Sequence, residues 1–197
     1  MTTFPLTTTL NRIYACAPCV GGWRKGLAAA GKTQGDDEPI TYDQILDAVE
    51  LQDAIWCFRS EPQHSRLWRL YAVWCARRVQ HLITDPQSVA TLDVAERHAN
   101  GLATDVELAA AWIAAWIAAG AVTWDAAWAA AKAVTWDAAW DAAWTAAKAV
   151  TWDAARAAAG AVTWDAAWDA AWAAAWAAER QAQADAFRQL VTTGTLP

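Results

Sequence analysis

Basic residues are scarce where a polyanion binder needs them. Of 15 Lys/Arg only five lie beyond Thr104, against ten of the 21 Asp/Glu, so that half carries most of the net charge of −6. Phosphate backbones are held by Lys and Arg that displace counterions, so this balance argues against nucleic-acid binding. It fits a basic partner, self-association or simple solubility. Alternating Val, Ile and Thr appear nowhere, which removes sheet folds and predicts an all-α protein. There is no phosphate-cradling glycine loop and no glycine-flanked serine, and His64, His81 and His98 are scattered. Neither a catalytic triad nor a cofactor is therefore expected, and the chain reads as non-enzymatic.

An export signal is also missing. Met1-Thr-Thr-Phe-Pro-Leu has no basic start, and Asn11-Arg12 interrupt any apolar run. That predicts a cytoplasmic chain with reduced thiols. The longest uncharged stretch, Leu108 to Trp124, is mostly alanine, and the same pattern continues beyond it punctuated by aspartates. No membrane span is expected, and the aspartates carry the wrong sign for anionic lipid.

Tryptophan, by contrast, is abundant: the chain has 16. Twelve stand in a four-residue row at Trp112, Trp116, Trp124, Trp128, Trp136, Trp140, Trp144, Trp152, Trp164, Trp168, Trp172 and Trp176. Gly, Lys or Arg takes the row's other positions, and alanine fills most of the space between. A four-residue step on a 3.6-residue helix drifts by about 40°, so the row winds nearly twice around a continuous helix. It cannot be a flat stripe. These indoles are expected to form packing ridges of a helical assembly, such as a homo-oligomer interface, the alternative being a ligand or partner surface.

Two structures for residues 105–197 stay open. In one, a long helix runs on, since alanine favours helix and no proline interrupts. In the other, each Ala-Val-Thr junction is a break. Thr123, Thr135, Thr151 and Thr163 are then N-caps, and Asp125, Asp137, Asp153 and Asp165 sit in first turns, where the helix dipole favours negative charge. Either way, residues four apart touch, so Trp128–Lys132, Trp144–Lys148, Trp152–Arg156 and Trp176–Arg180 can make cation–π contacts.

Residues 1–104 read as a helical domain. Thr41 and Gln44 have capping-box form, Asp85-Pro86 opens a helix that stops at Asn100-Gly101, and Thr104 with Glu107 caps the start of the repeat half. Ser60 with Pro62 opens another helix, and residues 32–39 are a loop. Cys16-Ala-Pro-Cys19 has zinc-ribbon and thioredoxin-like spacing. No second such pair exists, so zinc, redox chemistry and helix-buried thiols remain the alternatives. The helix from Ser60 to Thr84 interleaves Arg66, Arg69, Arg77, Arg78 and His81 with Trp68, Tyr71 and Trp74. Arginine forks beside aromatic rings can hold a small anionic or nucleotide-like ligand. The alternative is internal, with arginines covering apolar surface and pairing with Asp47, Glu50, Asp53 or the acidic repeat.

Several segments together resemble the immunity proteins encoded beside bacterial polymorphic toxins, which have relatives in phages. They are Leu10-Asn-Arg-Ile-Tyr-Ala-Cys-Ala-Pro-Cys19, Gly22-Trp-Arg-Lys25, Asp36-Asp-Glu-Pro39, Trp74-Cys-Ala-Arg-Arg-Val79, His81-Leu82, Val94-Ala-Glu-Arg97 and Gly101-Leu-Ala-Thr-Asp105. Such proteins are similar in following this domain with Ala-rich tetrads bearing Trp, Arg or Asp. The resemblance implies a binding protein that neutralises a toxin or effector directly. It carries over no catalytic residues, and this tail holds tryptophan where arginine is often found. Sequestration of a small anionic signal by an oligomer, and purely structural self-assembly, are the alternatives.

Overall fold

The computed structural model describes residues 2–83, 85–119, 147–149, 151 and 164–197, with backbone alone for 115–119 and 164–171. It is all-α apart from a two-residue ladder. The elements are β1 (Thr7–Thr8), α1 (Leu10–Ala15), α2 (Val20–Ala29), β2 (Ile40–Thr41), α3 (Tyr42–Ala48) and α4 (Leu51–Trp56), followed by α5 (Ser65–Arg78), α6 (Pro86–Ala99), α7 (Asp105–Ala119) and α8 (Trp164–Thr193). Short 3₁₀ turns at Cys57–Ser60 and Pro62–His64 precede α5, so Pro62 starts a 3₁₀ turn and not the helix itself.

The caps follow the sequence closely. Thr41 and Gln44 exchange side-chain-to-backbone bonds as a capping box. Asp85 accepts from the Ser88 N–H at the start of α6, and α6 ends at Asn100 with Gly101 at φ +72°, a backbone state that glycine enters without steric cost. The Thr104 hydroxyl accepts from the Glu107 N–H, while the Glu107 carboxylate takes the Thr104 N–H at 2.7 Å. Among the described residues no helix is long and apolar enough to cross a membrane.

The chain divides into two compact units, residues 1–67 with 184–197, and residues 68–183. This does not coincide with the compositional boundary at 104/105. In the first unit the end of α8 supplies Phe187, Leu190 and Val191 to a core with Leu6, Tyr42 and Phe58, all buried. Phe187 stacks on Phe58 at 5.3 Å and 4°, and the Leu6 N–H donates to the Val191 carbonyl at 2.8 Å. β1 pairs antiparallel with β2, Thr7 opposite Thr41. Arg188 of α8 pairs with Asp43 and, at 2.8 Å, with Asp47 of α3. Gly194 (φ +79°) ends α8, and a Cβ there would strike the Phe4 ring.

In the second unit α6 packs against α7. The Thr91 hydroxyl on α6 donates to the Ala111 carbonyl of α7 at 3.1 Å. The buried side of α5 is Trp68, Tyr71, Ala72, Cys75 and Ala76. At the Lys148-Ala-Val-Thr151 junction, Thr151 is helical and its hydroxyl donates to the Ala147 carbonyl at 2.6 Å, four residues back. That is the contact of a threonine inside a helix, not of an N-cap. The junctions at Thr123, Thr135 and Thr163 lie outside the described residues.

Candidate functional site

The arginines singled out on α5 meet different fates. Arg78 is held by the Glu179 carboxylate through three contacts of 2.8 to 3.0 Å, and its guanidinium lies 5.0 Å from the centre of the Trp74 ring. Glu179 is 2% exposed and also accepts from the Gln183 amide at 3.1 Å. Arg77 reaches Asp93 at 2.6 Å and Glu96 at 2.9 Å on α6, and Gln80 at 2.9 Å. These carboxylates hold both guanidiniums in the charged state, more firmly than an exposed arginine. Arg69 is buried, and loss of hydration pulls its guanidinium down despite the nearby charge of Asp105.

Trp68 has no exposed surface for a ligand, Trp74 is half-buried, and Arg66 and His81 are exposed. The pairing of Arg77 and Arg78 is thus internal. Its partners are Asp93, Glu96 and Glu179, whereas Asp47 serves Arg188, and Glu50 and Asp53 serve Lys25.

Part of the tryptophan row is visible. Trp112 is 40% exposed, and Trp172 and Trp176 are half-buried. Arg180 lies 6.0 Å from the Trp176 ring centre, the expected four-residue cation–π contact. Trp116, Trp164 and Trp168 have helical backbone without described side chains. Trp124, Trp128, Trp136, Trp140, Trp144 and Trp152 lie outside the described residues.

The sequence pointed less directly to a cavity of about 380 Å³ in the first unit. Leu10, Ile13, Ile40 and Ile45 contribute apolar lining, and Trp23 of α2 and Trp56 of α4 contribute two half-buried indoles. Cys16, Cys19, Asp53 and Arg59 add polar groups. The Arg59 guanidinium lies 5.5 Å from the Trp56 ring centre, and Asp53 takes the Lys25 ammonium at 3.0 Å. Trp23 leans on Tyr14, rings 5.0 Å apart.

The two cysteines of the C-x-x-C spacing line this cavity, and neither is buried in a helix. Cys19 is the exposed N-cap of α2, its sulfur accepting from the Gly22 N–H at 3.3 Å. Cys16 is half-buried, and burial raises its thiol despite Arg59 nearby. Cys57 also lines the cavity but is buried, its thiol pushed up to about 12 by loss of hydration. Among the described residues no group of three His, Cys, Asp or Glu side chains is placed to hold a metal ion. Between the cysteines, Ala17 adopts φ +55°, a left-handed state that costs an L-residue about 1–2 kcal/mol.

A signal for this cavity did exist in the sequence. Helix α2 reads Val-Gly-Gly-Trp-Arg-Lys-Gly-Leu-Ala-Ala, with three glycines where helix propensity disfavours them. No protein family, curated protein or solved structure matches this chain.

Proposed function

We propose that the protein is a non-enzymatic, cytoplasmic binding protein of the immunity type, which neutralises a protein toxin or effector by direct contact. One observation carries this reading: the apolar stripe of α7 faces solvent. Val106, Ala109, Ala110 and Ile113 lie on one face of α7, a helix that is apolar nearly all round beyond its first turn. All four are exposed, Val106 at 79% and Ile113 at 53%. The opposite side of the helix meets α6 through Ala111 and Thr91. An apolar helix face left in water is the pattern of helix-in-groove recognition, and exposed apolar patches of this kind mark interaction sites. Self-association into a homo-oligomer uses the same chemistry and belongs to the proposal.

The experiment compares the wild-type chain with a Val106→Glu, Ile113→Glu double variant in the native producing cells. The expected result is a stoichiometric protein partner on the wild type alone. That partner, expressed by itself, should arrest bacterial growth, and co-expressed wild type but not the variant should restore it. Equal protection by the variant overturns the reading. Light scattering reports self-association, as a mass above one chain that the double variant lowers.

A further inference from the structure

Helix α2 carries a cost that its own packing does not explain. Interior glycine destabilises a helix by about 1 kcal/mol relative to alanine. Gly22 has a packing reason, because a Cβ there would lie 3.2 Å from the Cys19 sulfur. Gly21 and Gly26 have none: a Cβ at either position meets nothing within 4 Å. Yet Gly26 lines the cavity. Its missing side chain leaves room in the pocket at the expense of the helix. Ala17, strained at φ +55° between the two cysteines, is a second local cost at the same cavity. Strain of this kind collects where a ligand is clamped.

The lining defines what would fit. A volume of about 380 Å³ sits at the small end of the range for small-molecule pockets. Trp23 and Trp56 come from different helices and both stay half-buried, unlike Trp68, which is packed shut. Among the described residues neither indole N–H has a protein acceptor. Arg59 is the Lys or Arg side chain that lines the cavity. Two indole faces select a flat ring, and a guanidinium over Trp56 suits an anion.

We propose that this cavity binds a small planar aromatic anion, with its ring against Trp23 and Trp56 and its charge at Arg59. The site is separate from the α7 stripe and does not depend on the protein-partner reading. Gly26 keeps it open, and a larger side chain there fills it from inside.

The test is calorimetry on the full chain with four probes: indole-3-acetate, indole, adenosine 5′-monophosphate and adenosine. Saturable binding of at least one anion at one site per chain is expected, at least tenfold tighter than its neutral counterpart. Gly26→Leu should abolish it while leaving far-UV circular dichroism and the melting temperature equal or improved. Trp56→Ala should weaken binding at least tenfold. Arg59→Met, which keeps apolar cover over Trp56, should remove the preference for the anion and spare the neutral ring. Three results overturn the proposal: no saturable binding of any probe, affinities unchanged by Gly26→Leu, or neutral and anionic probes bound alike by the wild type.

Discussion

Replacing Phe187 by alanine tests whether the C-terminal end of α8 is part of the N-terminal unit's core. The ring is fully buried, stacked on Phe58 at 5.3 Å and edge-on to Tyr42 at 6.5 Å. Truncating a buried phenylalanine costs about 3–5 kcal/mol, the lost burial plus the cavity left behind. Aromatic geometry supplies about 0.5–1.5 kcal/mol of that. A domain is stable by only about 5–15 kcal/mol, so the change removes a large share of it. The readout is amide exchange at Leu6, whose N–H donates to the Val191 carbonyl, and at Tyr42, whose N–H donates to the Leu6 carbonyl. At about 1.36 kcal/mol per decade, protection should fall by roughly two to three and a half orders of magnitude. Leu190→Ala should act in the same direction at about 2–5 kcal/mol. A loss under about 1 kcal/mol, with Leu6 protection unchanged, would show that residues 184–197 merely decorate this unit.

The remaining predictions concern charge, pH and thiols. Arg78→Met leaves the buried Glu179 with only the Gln183 amide and no countercharge from Arg78, and should cost about 2 kcal/mol, reduced from the fully buried case because Arg78 is partly exposed. Adding Glu179→Met should recover most of that loss, and a double-mutant cycle in urea with no coupling would refute it. Burial holds His64 below its ordinary value of about 6.5, although Glu61 pulls the other way. The unfolded chain therefore takes the proton first. Stability from this group is complete above about pH 6.5 and is lost as the pH falls through the folded value. His64→Gln should flatten the stability profile between about pH 7 and 5, and an unchanged profile would count against this assignment. At pH 8, iodoacetamide should modify exposed Cys19 first and the half-buried, raised Cys16 more slowly. Buried Cys57 and Cys75 should react only on unfolding, with mass spectrometry reporting the order.

What could be read directly was short in range. The caps at Thr41, Asp85 and Thr104 bond within three residues, so spacing alone places them. The Trp176–Arg180 contact is one helical turn long and was equally legible. β1 and β2 were missed because two residues are too few to show alternation. The arginines of α5 were seen, but their partners were not. Glu179 is 101 positions from Arg78, and nothing in the intervening composition marks it out. The cavity was foreshadowed by Cys16, Cys19, Trp23 and the glycines of α2, yet Trp56 and Arg59 join them only through the fold.

The all-α class and the starts of α3, α6 and α7 were set locally, because they depend on side-chain-to-backbone bonds within one turn and on propensity. Tertiary structure alone decided that Phe187, Leu190 and Val191 complete a core begun at Leu6, and that Gly26 opens onto a cavity. Such contacts gain free energy only once distant segments meet and water leaves between them, and no local spacing records where a chain returns.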